Sequence, residues 1–491
     1  MPIIKQFGCF NRRLGLGCLL IAFSSFNYGF DNQAFATSQA MNSFTKNFGV
    51  LNSATGKYAL EPSWLSLFNS LNYIGFAAGV LIGSHVASKF GRRWCMFSMS
   101  IYALTTATIA VTAQNHVYVG MELAVIPAFQ SEIVPAPARG LVVGSYQLSL
   151  VLGGFVINSV CKGTSTLPDN RAWRIPLGLF YVVPSIIASL VFLTPESPRW
   201  LLKNGRINDA RSSLTLYREG KFSQTEIDSE FRELEFALEN EVEKGKFIEI
   251  FKGLNLKRTM LVVAINFFQQ ATGQAFASQY GTIYVKSLGT VNAFDFNLVL
   301  AAINITSICI TLLVADRVGR RPMLLIGSAV QTVALIAMGG LGTQSIVTTG
   351  NKIGIVSMLA LMVAGFSIGW APLCYVVTTE LPSLRLRDDT LRLGFFINVC
   401  VNFAVNFSIP YLIYPKYAGL DSKVGFIFGS IAAFCFVFTY LCVPECKGKS
   451  LELVDYMFYK RVPLRHFGSY EVSSFSQPQE EKGQQELMSK D

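Results

Sequence analysis

The sequence predicts an all-α membrane protein of twelve transmembrane helices, in two pseudo-symmetric six-helix halves with a truncated fourth helix. Composition is the first reason: of 491 residues, 51% are hydrophobic and only 15% charged, where soluble domains carry about a quarter charged residues. The second is a series of apolar spans, most near the roughly 20 residues that cross a bilayer. The third is an internal repeat of short charged motifs. The net charge of +10 is no nucleic-acid signature, because the bases sit in short loops between spans, as the positive-inside rule requires.

The first six spans run about Leu14–Ala36, Ser63–Val86, Trp94–Ala113, Val117–Ile133, Leu141–Val160 and Trp173–Leu193. The second six run about Met260–Val285, Asn297–Val314, Pro322–Leu341, Ile353–Glu380, Leu391–Tyr414 and Val424–Val443. Basic clusters at Arg12/Arg13, Lys89/Arg92/Arg93, Arg139, Arg317/Arg320/Arg321 and Arg385/Arg387 alternate with charge-poor loops. Both termini are therefore expected in the cytoplasm. The organisation follows: residues 1–195 as the first half, 196–258 as a cytoplasmic helical linker, 259–443 as the second half and 444–491 as a mostly disordered cytoplasmic tail. Within the linker Ile227, Phe231, Leu234 and Leu238 recur at helical spacing, an amphipathic helix expected to pack beneath the membrane part. Beyond Phe467 the chain is polar and poor in aromatics, a composition that cannot build a core. The ten cysteines are scattered and the three histidines far apart. No disulfide framework, metal site, cofactor or catalytic set is expected.

The halves repeat each other. Gly-Arg-Arg occurs at Gly91–Arg93 and Gly319–Arg321, and a Glu precedes an Arg by seven residues at Glu132/Arg139 and Glu380/Arg387. Pro-Glu closes each half at Pro195-Glu196 and Pro444-Glu445, and Gln-Ala-Phe-Ala appears at Gln33–Ala36 and Gln274–Ala277. The repeat exposes a defect: Gly91 to Glu132 is 41 residues, whereas Gly319 to Glu380 is 61. The fourth span, Val117–Glu132, is about 24 Å of helix against a core of roughly 30 Å. A deletion in the protein or in its gene model accounts for it.

The seventh span stands out for polarity: Asn266, Gln269, Gln270, Thr272, Gln274, Ser278 and Gln279 fall within it. An unpartnered carboxamide in hydrocarbon costs several kcal/mol, so these groups must face protein, water or a ligand. Read as one continuous helix, Asn266, Gln270, Gly273/Gln274, Ala277 and Gly281 share a stripe. A neutral amide face suits a ligand rich in hydroxyls; the alternative is amide glue between helices. Asp31 is a carboxylate well inside the first span, where desolvation would make it a proton carrier. The alternative places it at a wetted helix end.

Taken together, Gly91–Arg93 with Trp94, Glu132/Arg139, PESPRWL at Pro195–Leu201, Gln269-Gln270 with Thr272-Gly273, ADRVGRR at Ala315–Arg321 and PECKGKSLE at Pro444–Glu452 resemble the sugar porter family of the major facilitator superfamily. The stretches around Gln269–Tyr284 and Gly369–Thr390 look most like fungal carriers of hexoses or α-glucosides such as maltose. The resemblance implies alternating access and a sugar site between the halves, near mid-membrane. It carries sugar binding onto Gln147, Gln269, Gln270, Asn304, Asn398 and Asn402, with Gln274 added from the polar stripe. An amide of the family is replaced by Ala275 and its tryptophan by Tyr375, which can still stack on a sugar face. It implies proton coupling through Asp31, whose usual arginine partner belongs to the missing segment. It also implies a cytoplasmic ion-pair gate of Arg92, Arg93, Glu132, Arg139, Glu196, Arg199, Asp316, Arg320, Arg321, Glu380, Arg387 and Glu445, with Ser88 where an acid is usual. The expected partners are a small sugar, protons and the lipid bilayer, with no nucleic acid. The protein is expected to be a monomer in the plasma membrane. The competing reading is a non-transporting sugar sensor or inactive homologue; an enzyme lacks the chemistry.

Overall fold

The computed structural model describes residues 11–52, 57–112, 136–239, 247–344, 348–447, 449 and 451–470. Long helices dominate, and among the described residues six stretches are long and apolar enough to cross a membrane: Arg171–Leu193, Ala293–Ala315, Arg320–Leu341, Thr349–Glu380, Arg387–Ile413 and Asp421–Cys442. The expected fourth span, with Glu132, lies outside the described residues, as do the side chains of Ser88, Arg139 and Asp316.

Helix α1 (Arg12–Ser38) starts where Asn11 accepts from the Leu14 N–H at 2.8 Å, satisfying one of the orphan donors of the first turn. After a short helix α2 (Asn42–Phe48) and a hairpin of β1 (Val50–Asn52) and β2 (Lys57–Ala59), α3 (Pro62–Phe90) begins on a proline and α4 (Arg92–Thr112) follows Gly91. Helix α5 (Ala136–Thr164) lies along α1 so closely that a Cβ at Gly29 would fall 1.8 Å from the Leu150 carbonyl oxygen. Such small-residue seams are how helices associate in lipid, where apolar burial drives nothing. Helices α6 (Arg171–Gly178) and α7 (Val182–Leu190) are joined by a 3-10 turn and complete the first group.

The linker folds as α8 (Pro198–Lys203), α9 (Ile207–Arg218) and α10 (Gln224–Glu239) around Leu201, Ala210, Leu214, Ile227 and Phe231. Ile227 and Phe231 of the expected amphipathic stripe are thus buried on two further short helices with Leu234 partly so, while the Leu238 side chain lies outside the described residues. The linker is anchored, as Asn11 donates to the Leu216 and Glu219 carbonyls, at 2.9 and 3.2 Å. Arg218, buried, reaches Glu230 through two bonds of 2.7 and 2.9 Å.

The second group opens with α11 (Gly253–Ala271) and α12 (Gly281–Leu288), then α13 (Ala293–Val318), α14 (Arg320–Leu341), α15 (Thr349–Ile368), α16 (Trp370–Glu380), α17 (Arg387–Ile413) and α18 (Val424–Cys442). Two expectations of continuous helix are corrected. The seventh span breaks between α11 and α12. The tenth breaks at Gly369, which packs against the Met323 carbonyl too closely for a side chain. The groups meet where α3 packs on α17 and α5 on α13. Phe434 (71% exposed) and Val333 (64%) face outward, as lipid-contacting residues do. Beyond α18, α19 (Leu451–Tyr459) docks on the base of α11: Arg258, buried, pairs with Asp455 and lies 4.3 Å from the Phe458 ring centre.

One device is built twice. The Glu196 carboxylate accepts from the Arg92 and Arg93 N–H groups at 3.0 and 3.1 Å, capping the start of α4. The Glu445 carboxylate accepts from the Arg320 and Arg321 N–H groups at 3.1 and 2.9 Å, capping α14. A carboxylate suits the positive end of a helix dipole. Burial nevertheless pushes the Glu196 carboxyl above its ordinary range, against the pull of three backbone N–H bonds and the Arg93 guanidinium. Gly91 and Gly319 precede these helices at φ +96° and +110°, and a Cβ on either would lie 2.5 Å from the capping carboxylate. Gly319→Ala is therefore expected to destabilise the protein by roughly 1–3 kcal/mol, read as a lower melting temperature in detergent. Gly15→Ala, with nothing within 4 Å of its Cβ, is the control; equal melting of the two would remove the cap from this account.

Candidate functional site

The site is built on the break in the seventh span. Helix α11 ends at Ala271, Gly273 takes φ +86° with the Phe428 ring 2.6 Å from where its Cβ would be, and a π-helical turn at Phe276–Tyr280 leads into α12. Breaks and π-turns inside membrane helices free polar groups at mid-depth and mark functional positions. The single stripe expected across residues 266–281 is corrected accordingly: Ala277 and Gly281 sit beyond the break.

Three predicted amides converge on α11 and α17. Asn398 donates to the Gln269 carbonyl oxygen at 2.7 Å and accepts from the Gln270 amide at 3.0 Å. It also lies 3.3 Å from the Asn266 backbone oxygen, to which it donates. Gln269 reaches the Trp370 carbonyl at 3.5 Å and is buried, while Gln270 is half-buried. Tyr375 stacks obliquely on Phe395, ring centres 6.0 Å apart, with its hydroxyl beside Gln269 and within electrostatic reach of Tyr28 of α1.

Asn402 is half-buried one turn beyond Asn398 and accepts from Asn406 at 2.6 Å. Tyr73 of α3, in the other group, lies beside both of these amides. Tyr28, Tyr73 and Asn406 were not among the predicted residues. The spacing of Asn398, Asn402 and Asn406 at four-residue steps is the signal that could have found the last. The Gln274 carbonyl oxygen is buried with no hydrogen-bond partner among the described residues, so a ligand or water must serve it. Asn304 stands apart from the cluster, accepting from Ser367 of α15. Gln147 is half-buried on α5, on the stripe that continues through Val151, Gly154 and Asn158. Amides, hydroxyls and aromatic faces of this kind recognise neutral polyols, since each amide both donates and accepts.

Asp31 is buried and accepts from Asn27 at 2.8 Å, which corrects the alternative of a wetted helix end. A row of side-chain bonds then joins the two groups at the end opposite Gly91 and Gly319. Asn297 of α13 donates to Thr37 of α1 at 2.9 Å and to Asn158 of α5 at 3.1 Å, and Thr37 donates to Asn158 at 2.7 Å, all three buried. Gln279 donates to Asn32 at 3.1 Å, Ser66 to the Phe407 carbonyl at 2.6 Å and Lys286 to Asn42 at 2.7 Å. Lys162 pairs with Asp295, and Lys416 with Glu61 at 3.0 Å, in more exposed positions.

At the basic end several of the predicted gate residues bind within their own groups. Glu196 holds Arg92 and Arg93, Glu445 holds Arg320 and Arg321, and Arg320 reaches Glu380 at 3.4 Å. The guanidinium groups repeat the symmetry: Arg93 lies over the Phe192 ring at 5.4 Å and Arg321 over Tyr440 at 5.6 Å. Arg199 is exposed and Arg387 half-buried.

Comparison with known proteins agrees with this geometry. A family model described as "Sugar (and other) transporter" matches residues 17–458. The low-affinity glucose transporter HXT3 of Saccharomyces cerevisiae is 27% identical over 469 residues, 91% of this chain and 82% of that protein. The major facilitator-type transporter ecdD of Aspergillus rugulosus is 28% identical over 464 residues, 89% of this chain and 86% of that protein. In solved structures, the proton:xylose symporter XylE of the major facilitator superfamily superposes with a TM-score of 0.72 at 20% identity, over 91% of this chain and 99% of that one. The fold is that of the superfamily.

Removing the hub should leave several buried amides unsatisfied at once. Asn398→Ala is expected to destabilise by roughly 1–3 kcal/mol, seen as a lower melting temperature in detergent. Asn402→Ala, on a half-buried residue at the edge of the network, should shift it less, and the reverse order would mean the hub is elsewhere.

Proposed function

The chain belongs to the sugar (and other) transporter family, and from that premise we propose that it is a secondary carrier of a hexose or α-glucoside working by alternating access. The observation that carries the reading is the amide cluster at the α11 break, where Gln269, Gln270 and Asn398 meet Tyr375 beside aromatic residues of the other group. Twelve helices in two halves, residues 1–195 and 259–443, would then enclose it, with both termini in the cytoplasm and the plasma membrane as its place. Gln147, Asn304, Asn402 and Gln274 would complete the sugar's surroundings as the halves close. Relatives named as glucose transporters support the hexose, and the symporter among the similar folds supports coupling to protons, with Asp31 as the carrier. The sensor reading finds no support in relatives that bear transporter names.

The conformation described is closed to the outside. The buried Thr37–Asn158–Asn297 knot holds the outer ends of α1, α5 and α13 together, while the capping carboxylates at the cytoplasmic end bind within one half. Carriers of this kind switch between two such packings, and a bond made in one only biases the equilibrium by its own free energy.

Uptake of labelled glucose and maltose by cells lacking their own carriers is the direct test. Saturable hexose uptake, abolished as accumulation by a proton uncoupler and by Asp31→Asn, is expected. Gln270→Ala should raise KM about fivefold or more, the loss of one neutral hydrogen bond. A protein that reaches the surface and takes up no sugar would end this reading. For the closed state, an Asn402→Cys reporter in a background without native cysteines serves. Asn297→Ala should speed its labelling by an impermeant maleimide several-fold. Lys162→Ala should change that rate by less than Asn297→Ala does, because exposed ion pairs contribute about 0–1 kcal/mol, mostly at the low end of that range. Equal effects would discard the knot as the outer closure.

A further inference from the structure

The amides of the cluster are not free to turn over, because two backbone carbonyls anchor them. The Val262 carbonyl can only accept, so Asn266 must present its NH2 there, at 2.9 Å. Its second N–H goes to the Thr378 hydroxyl at 3.2 Å, from α16. The Asn266 carbonyl oxygen is thereby turned toward Asn398, whose NH2 stands 3.4 Å from it. That same NH2 lies 2.7 Å from the Gln269 oxygen. Gln269 is oriented independently, because its own NH2 faces the Trp370 carbonyl at 3.5 Å. Both ends of the chain of amides therefore demand the same polarity at Asn398: NH2 toward α11, oxygen toward Gln270. Gln270 must meet that oxygen with its NH2, at 3.0 Å. Its carbonyl oxygen takes no hydrogen bond among the described residues, and the side chain is half-buried.

From this relay, and on the sugar-carrier reading above, we infer that Asn398, its polarity set by Asn266 and Gln269, is the positioning residue that fixes Gln270 as a hydrogen-bond acceptor, so that one sugar hydroxyl must donate to it. The substrate is thereby narrowed to a polyol with a donor at that position. Fluorine in place of that hydroxyl matches it in size and accepts weakly but cannot donate. With the relay intact, the fluoro analogue loses its partner. With the relay broken, Gln270 can invert and offer an N–H instead.

The test is equilibrium dialysis of the detergent-purified full chain with labelled glucose, competed by each monodeoxyfluoro-glucose in turn. At one ring position the wild type should bind the fluoro analogue about fivefold to tenfold more weakly than glucose, the scale of one hydrogen bond. Asn398→Leu should weaken glucose binding and shrink that hydroxyl-to-fluorine ratio toward one, because nothing then dictates which end Gln270 presents. Asn398→Ser, whose hydroxyl can donate or accept, should move the ratio in the same direction by less; this variant serves if Asn398→Leu does not fold. Glucose binding with an unchanged ratio in both variants overturns the relay alone. No binding of any sugar by the wild type overturns the carrier reading with it.

Discussion

An amide placed in hydrocarbon has no water to turn to, and this constraint arranges the middle of the molecule. Every carboxamide there must be answered by a backbone group, another side chain or a ligand. Asn398 answers for several at once, joining α17 to α11 through Asn266, Gln269 and Gln270. Asn266, Gln269 and Gln270 stand at i, i+3 and i+4 in the unbroken part of α11, so helical spacing alone presents them on one face.

The same constraint acts at the two ends in different ways. At the basic end, exposed helix starts are closed by carboxylates from about 104 and 125 residues away, each beside a glycine whose φ lies in the left-handed range. These caps tie helices together within each group, and the groups meet along the seams where α3 packs on α17 and α5 on α13. At the opposite end the seams are closed by neutral bonds, buried in the Thr37–Asn158–Asn297 knot. Neutral bonds suit a joint that must open, because each contributes only about 1 kcal/mol net. A buried ion pair would be far harder to separate.

A functional consequence follows from caps within each group on one side and modest bonding between them on the other. On the alternating-access proposal, rocking of the groups leaves the amide cluster intact, since the bonds of Asn398 to Asn266, Gln269 and Gln270 all lie in the second group. Contributions from the first group, Tyr28 and Tyr73, reach the cluster as aromatic hydroxyls beside it rather than as members of the relay. On the proposed carrier reading, the sugar's surroundings divide into an amide wall from the second group and an aromatic one from the first.

Much of this was legible residue by residue. Span length, charge-poor loops, the duplicated Gly-Arg-Arg and Pro-Glu motifs and a seventh span crowded with amides are local properties of the chain, and they determined the membrane class and the family and singled out amides that the structure gathers between α11 and α17. What local pattern could not decide was partnership. Whether Glu196 would bridge the groups or cap α4, whether Asn304 would join Gln270 or Ser367, and which way each amide faces depend on the register between helices far apart in sequence. Thr37 and Asn297, 260 residues apart, meet only because α1, α5 and α13 pack at one depth. A hydrogen bond is short and directional, so a one-residue shift of any helix would hand its donor to a different acceptor, and only the packed structure decides which.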